Sequence, residues 1–479
     1  MRNRVSFGLL AAALFLLAIL IIIWKGAPRL IEFSPSDQSE NVASGAVIRV
    51  KFSRPLRTSE VEERMLIEPS VSGTFRWEGS TLIFQPDQPW TAGASVSVRV
   101  EPGAHASGFP PLPLRAGAEW IFSIREARIV YLSPASGPAD LFMLNPSSGM
   151  TTPITENSGG ILDFDLSQDG KSLFYSERQK EDGSIIYQME ARVDEFDPDS
   201  DITEDKTRYF SQPVEILKCQ KSLCQGLAVD PLVRYLAYER IGLPGGDAPE
   251  MPQVWILPLP AIDSNPPFLA GDSTHQTIQP VWSSASLLAY YDDQESAYLF
   301  AEPGQAAFSS FSNQTGQQGV WQPDGKAFLA AEIINLDENV SSELTELSSF
   351  ADSHLILFDL ASGQIQDLSP GTGVEDAAPG FSPDGSLLAF ARKYLDVERW
   401  TPGRQFWIAT FPGKLARQMS DAPVYNHFDF AWSPNGEQIA YVRFNQSVIY
   451  EPPEIWILNL LLNESARYIQ DGYQPQWIP

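Results

Sequence analysis

The sequence has little of what most metal and redox chemistry needs: two cysteines and four histidines in 479 residues. Two thiols exclude a disulfide-dense scaffold and any four-cysteine zinc site. His105, His275, His354 and His427 are far apart, with no cysteine or carboxylate at ligand spacing, and read as surface or loop histidines. Positive charge is also scarce. Lysine and arginine number 33 against 60 acids, a net charge of −27, which argues against nucleic-acid binding and against a polybasic membrane-surface role. Helical periodicity is nearly missing. The one competing stretch is Thr58 to Met65, where Ser59 could cap a single turn. Long uninterrupted apolar runs are missing too, except one at the start of the chain.

That run, Phe7 to Trp24, has 18 residues, near the ~20 that cross a bilayer as a helix. Arg2 and Arg4 precede it, which places the N-terminus in the cytoplasm and the bulk of the chain outside. A cleaved signal peptide is the alternative. Ile19 to Trp24 runs bulky up to Lys25 without a small-residue cleavage site, so an uncleaved single-pass anchor is expected.

What the sequence does have is turns. Thirty-eight prolines, 33 glycines and 12 tryptophans suit a turn-rich β protein. One phrase recurs. In Phe381-Ser382-Pro383-Asp384-Gly385-Ser386-Leu387-Leu388-Ala389-Phe390, the proline presets φ for a tight turn and the glycine can take the left-handed conformation that ends it. The strand that follows is apolar on both faces, as expected of a doubly buried strand. The phrase returns as Trp432-Ser433-Pro434-Asn435-Gly436-Glu437-Gln438-Ile439-Ala440-Tyr441. Worn copies begin at Leu166, Val229, Trp282 and Trp321. A second strand, often opening on an aromatic, follows: Trp255, Trp407 and Trp456 are examples. Repeats of about 40 to 60 residues that are apolar on both faces describe a ring of packed blades, a β-propeller. Six copies hold turn and strand. A seventh is split, its start at Gln474–Pro479 and its continuation at Arg128–Leu132 and Ala139–Leu144. A blade completed from both chain ends removes an open sheet edge, so seven blades are expected, with six as the alternative.

Between anchor and ring, residues 28–126 alternate short strands with turns: Val47–Phe52, Thr81–Phe84, Ala94–Val100 and Glu119–Ile124. That pattern reads as a β-sandwich. The expected organisation is a cytoplasmic tail and transmembrane anchor at 1–27, a sandwich at 28–126 and a propeller at 127–479, all-β apart from the anchor.

Two resemblances follow from these residues. Phe33-Ser34-Pro35-Ser36-Asp37, Val50 to Leu56, Leu82 to Pro86, Trp90-Thr91-Ala92-Gly93 and Trp120 to Ile124 resemble, in order, the bacterial Ig-like domains of surface-layer and other envelope proteins. The resemblance implies a spacer or adhesive unit. Phe381–Phe390, Trp432–Tyr441 and Trp321–Ala330 resemble the WD-like propeller repeats of the TolB type. Such propellers serve as protein-binding platforms in bacterial envelopes and as gating domains of prolyl-type serine peptidases. The peptidase reading needs a Gly-x-Ser-x-Gly elbow, and the sequence has none.

Three further features stand out in the propeller segment. Asp197, Asp199 and Asp201 imitate the start of a calcium loop, but its sixth and twelfth positions hold Ile202 and Arg208 rather than Gly and Glu. A solvated acidic insertion is preferred, with calcium kept as the alternative and no other cofactor expected. Cys219 and Cys224, in what reads as a loop joining blades, can bridge in an oxidising compartment. Glu239–Gln253 and Asn335–Asp352 are insertions, either of the kind that recognise partners on a rigid ring or merely tolerated ones. The reading is a non-enzymatic, membrane-anchored extracytoplasmic binding or scaffold protein, docking a protein or a glycan. The alternatives are an enzyme acting on envelope polymers in the propeller funnel, and a ligand sensor.

Overall fold

A computed structural model describes residues 26–42, 44–156, 159–179, 183–191, 209–262, 264–334, 352–369, 373–448 and 450–478. The apolar run Phe7–Trp24 lies outside them. Among the described residues no helix is long and apolar enough to cross a membrane. The chain divides into two units, Met1–Glu126 and Ala127–Pro479.

In the first unit, strict alternation of apolar and polar residues makes half-buried strands. Ile48, Val50 and Phe52 point inward while Arg49 and Lys51 point out. Two four-stranded sheets result: Leu30–Ser34, Ile48–Phe52, Thr81–Pro86 and Gly73–Glu78, and Ser39–Val42, Ala118–Ile124, Ser95–Val100 and Met65–Glu68. Their core is centred on the fully buried Trp90 and Trp120. Trp90 donates its indole N–H to the Ala46 carbonyl at 2.8 Å. The expected helical turn is shorter than its sequence suggested. It spans Thr58–Glu62, its N-cap is Arg57 without a side-chain cap, and Ser59 lies inside it. Met65 instead opens a strand, because its side chain is drawn into the sandwich core.

The second unit repeats one design. Each sheet has four antiparallel strands with its first strand innermost. In chain order the sheets are Ile161–Leu166, Ser172–Gln179, Gly183–Glu190 and Val214–Gln220; then Ser222–Val229, Tyr235–Gly242, Gln253–Pro258 and Phe268–Leu269. The next is Thr277–Trp282, Leu288–Asp292, Ala297–Ala301 and Ser309–Ser312. An eight-stranded path follows, joining Val320–Trp321, Ala327–Ile334, Asp352–Asp359 and Ile365–Asp367 to Val374–Phe381, Leu387–Tyr394, Gln405–Thr410 and Lys414–Gln418. The two halves of that path meet only at the parallel pair Ser353↔Glu375. Tyr425–Trp432, Gln438–Asn445, Glu454–Asn459 and Glu464–Gln470 come last before the closing sheet.

The recurring phrase is a side-chain-locked turn. Ser382 Oγ donates to Asp384 at 2.6 Å and accepts the Leu387 N–H at 2.9 Å, while Gly385 sits at φ 71° and donates its N–H to Ser382 O. Ser433, Asn435 and Gly436 repeat these bonds. Pro383 and Pro434 fill the first central position of each turn. Where the glycine is lost, Val233 and Ser286 are driven to φ 55° and 60°, which strains a β-branched valine most.

The tryptophans ahead of the turns join neighbouring sheets. Trp282, Trp321, Trp432 and Trp477 donate their indole N–H groups to Ala228, Val281, Gly380 and Ala431 carbonyls of the preceding sheet, at 2.8–3.1 Å. A buried indole thus keeps its hydrogen bond while its ring fills the gap between sheets.

The closing sheet is assembled from both ends of this unit. Tyr473–Ile478 is innermost and pairs antiparallel with Arg128–Ser133 (Trp477↔Ile129, Gln476↔Val130), followed by Asp140–Asn145 and Met150–Pro153. The innermost strands contact one another in succession, and Tyr473–Ile478 touches both Tyr425–Trp432 and Ile161–Leu166. The ring is closed. Deleting residues 473–479 exposes both flanking sheets and removes the buried Trp477. Stability should fall by at least about 3 kcal/mol, the loss usual for one buried tryptophan. Thermal melting checks this, and an unchanged midpoint contradicts shared-sheet closure.

Candidate functional site

Every innermost strand except Val320–Trp321 carries a bulge. Their register shifts between Ile161 and Asp163, Gln225 and Ala228, Ile278 and Val281, Ala377 and Gly380, Phe428 and Ala431, and Tyr473 and Gln476. Gly226, Gln279, Ala378, Asp429 and Gln474 take positive φ at these bulges. A bulge re-aims one side chain and frees a backbone N–H. Around the inner wall those freed groups are taken up by carboxylates of the preceding sheet. Asp163 accepts from the Leu227 N–H at 2.5 Å and from the Gln474 amide, and Asp165 accepts from the Val229 N–H at 2.7 Å. Glu239 accepts from Gln279 N–H at 2.8 Å, and Asp429 from that of Gln474. Glu239 reaches the wall from a second strand because Gly226 makes room. A Cβ there would lie 2.7 Å from the Glu239 carboxyl carbon.

Burial pushes Asp163 up to about 6 and Asp165 up to about 7, the latter helped by the Asp163 charge. Asp429 rises to about 6 although its side chain is open to the axial space, because the surrounding wall displaces water. Glu239 is raised by burial as well.

At one end of the ring lie the connections between second and third strands, since antiparallel order puts every such connection on the same side. Among the described residues they are 134–139, 243–252, 293–296, 395–404, 446–448 and 450–453, while the expected insertion Asn335–Asp352 lies, but for Asp352, outside the described residues. Val397, Trp400 and Tyr450 are exposed there, Val397 and Tyr450 almost completely. Lys393 lies 4.9 Å over the Trp400 ring and Arg399 3.8 Å over Tyr394.

On the flank, a cavity of about 950 Å³ opens between the sheet that ends at Phe268–Leu269 and the next one outward along the chain. Leu288, Tyr290, Leu299 and Ala301 line its floor; Asp272, His275 and Glu295 stand at its mouth. His275 Nδ1 lies 2.8 Å from Asp292 Oδ2, and that hydrogen bond raises the imidazole above its usual range.

The structure distributes the residues singled out in the sequence as follows. Ser382, Pro383, Asp384, Gly385, Ser433, Pro434, Asn435 and Gly436 are turn locks. Cys219 and Cys224 are bonded to each other. They sit in adjoining strands, Val214–Gln220 and Ser222–Val229, rather than in a loop, with only Lys221 between the strands. Asp197, Asp199 and Asp201 lie outside the described residues. Among the described residues no group of three or more histidine, cysteine and acidic side chains could hold a metal. The insertion expected to start at Glu239 starts at residue 243, because Glu239 is held in its strand by the axial bond to Gln279.

The histidines need correction. His354 and His427 are buried rather than on the surface, since each lies in a strand packed between sheets. His105, His275 and His354 each meet a carboxylate distant in sequence: Glu60, Asp292 and Asp367. Burial pushes His427 down to about 4, and its Nδ1 donates to the Arg404 carbonyl. The axial carboxylates were missed. Aligning the copies on the turn and reading three residues upstream gives Asp163, Gly226, Gln279, Gln318, Ala378, Asp429 and Gln474, and that register exposes them.

The raised carboxyls fix a pH dependence. Each folded value stands above the ordinary 3.8, so the folded chain holds protons that the unfolded chain has released. The stability they lend is full below about pH 4 and is lost as pH rises through about 6 to 7. Asp165→Asn should therefore shrink the loss of stability between pH 5 and pH 8 by on the order of 1–3 kcal/mol. Chemical denaturation at both pH values measures it; a variant that keeps the full wild-type pH slope contradicts the assignment.

Comparison with known proteins adds the following. The chain spans 88% of itself and 86% of TolB from Acinetobacter baumannii at 12% identity and a TM-score of 0.42. Against the periplasmic gluconolactonase PpgL of Pseudomonas aeruginosa it aligns over 74% of its length and 99% of that chain, with 12% identity and a TM-score of 0.45. One of two prolyl endopeptidases studied for inter-domain dynamics aligns over 72% of this chain and 48% of its own, at 14% identity and a TM-score of 0.48. No curated protein matches the sequence. Residues 25–123 match the family described as bacterial Ig-like domain, and the first unit carries that domain.

Proposed function

We propose that this chain is a membrane-anchored, extracytoplasmic scaffold of a bacterial cell envelope, whose seven-bladed propeller docks a protein partner and whose Ig-like domain acts as a spacer. The observation that carries the reading is the crowding of the long second-to-third connections, with exposed Val397, Trp400 and Tyr450, onto one end of a closed ring. Rigid rings tolerate such insertions and use them for recognition, and exposed aromatics are the usual anchors of protein interfaces. The seven-blade count divides the eight-stranded path at Ser353↔Glu375, where a single parallel pair is all that joins its halves. The extracytoplasmic placement draws on Arg2 and Arg4 ahead of the Phe7–Trp24 run. The Cys219–Cys224 bond suits an oxidising compartment.

A second reading, an enzyme working at the axis, has one observation in its favour: carboxyls poised near neutrality, the range in which acid–base catalysts work. Binding is preferred because oxygens of Asp163, Asp165 and Glu239 already accept backbone N–H groups that close the ring.

In-cell crosslinking with the full chain as bait, followed by identification of captured proteins, tests the docking reading. One recurrent envelope protein is expected, and Trp400→Ala with Tyr450→Ala should lower its recovery roughly tenfold or more without moving the melting temperature. Recovery of polymer fragments alone, or equal capture by the double variant, contradicts it.

A further inference from the structure

Gaps between neighbouring sheets of a ring widen outward, and this chain fills three of them with a repeated pair. In three sheets a tryptophan of the third strand stands opposite an aromatic of the second: Trp255 and Tyr238, Trp407 and Phe390, Trp456 and Tyr441. Two residues beyond that aromatic comes an arginine, whose guanidinium lies over the indole: Arg240 at 5.5 Å, Arg392 at 5.4 Å and Arg443 at 3.8 Å. The sheet bearing Tyr290 breaks the pattern at both positions. Leu299 stands opposite Tyr290 where the tryptophan belongs, and Asp292 takes the arginine's place. Ala297 and Ala301 flank Leu299 on the same face. The sheet in front gives little cover, since its outermost strand is only Phe268–Leu269. The cavity of about 950 Å³ is what remains.

Its chemistry is the reverse of its counterparts. The missing side chains are an apolar plane and a cation, and the mouth carries Asp272 and Glu295, with Glu302 at the opposite end. Inside it, Tyr290 is only 1% exposed. Tyr290 lines the cavity, and burial pushes its hydroxyl up to about 12.

We propose that this slot takes up an extended segment of a partner polypeptide bearing a lysine or arginine. The aliphatic stem lies over Leu299 and the alanines, and the charge sits between Asp272 and Glu295, since Asp292 is already bonded to His275. The length favours a peptide over a small amine. The floor runs along Ala297–Ala301 with acids at both ends, roughly 15 Å at the extended rise of about 3.4 Å per residue. The volume lies near the top of the range for single small ligands, about 300–1,000 Å³. This inference rests on the docking reading above and names the chemistry of its partner.

The test is selection of random heptapeptides displayed on phage against the full chain and, in parallel, against Leu299→Trp. That variant supplies the residue that three other sheets carry, so it should melt no lower than the wild type. An enriched motif containing lysine or arginine is expected on the wild type and not on the variant. The corresponding synthetic peptide should lose roughly tenfold in affinity or more on Leu299→Trp and on the double variant Asp272→Asn with Glu295→Gln, and should bind more weakly in high salt. The double variant keeps the test decisive should the tryptophan disturb folding. No enriched motif, a motif without a cation, or equal affinity for the filled slot overturns the proposal. Leu299→Trp used as bait in the crosslinking experiment separates the two readings: a partner captured equally well by it contradicts the slot and leaves the docking end standing.

Discussion

Everything in the second unit depends on the pairing of Tyr473–Ile478 with Arg128–Ser133. A row of sheets packed face to face has two unfinished faces unless its ends meet, and a strand edge left open is a template for association. Closure makes the first strand of every sheet an inner wall. The N–H groups freed at its bulges are taken by Asp163, Asp165, Glu239 and Asp429 of neighbouring sheets. The raised pKa values of these acids follow from their burial.

The same constraint acts in the opposite sense at the rim. Sheets that meet at the axis diverge outward, so the gap grows and has to be filled by larger side chains. Indole rings ahead of the turns fill it near the wall, each tied to a carbonyl of the sheet before. Farther out the arginine-on-tryptophan pairs take over. Packing at interior density leaves few voids larger than a water, which is why the one gap floored by Leu299 and alanines stands out.

Much of this architecture could be read from the sequence because its turns are chemically explicit. Ser382-Pro383-Asp384-Gly385 specifies its own backbone, and a copy split between Gln474–Pro479 and Arg128–Leu132 is arithmetic. The sandwich was legible for a similar reason: Ile48–Phe52 and Ser95–Val100 alternate strictly. What could not be read were features that depend on comparing sheets after they are superposed. Asp163 and Asp165 look like the polar side of an ordinary strand until the bulge turns them to the wall. Leu299 and Asp292 are unremarked until set against Trp255 and Arg240. His354 and His427 looked like loop residues because their burial comes from neighbouring sheets rather than from their own sequence surroundings.

The measurement that tests closure most directly is hydrogen exchange on the full chain at the amides of Gln476, Trp477 and Ile478. A ring shut by this strand predicts protection as deep as that of Ile129 and Val130 opposite, with opening only through global unfolding. Exchange of those amides as fast as an unstructured terminus, with Ile129 and Val130 still protected, would contradict the closed ring and the account built on it.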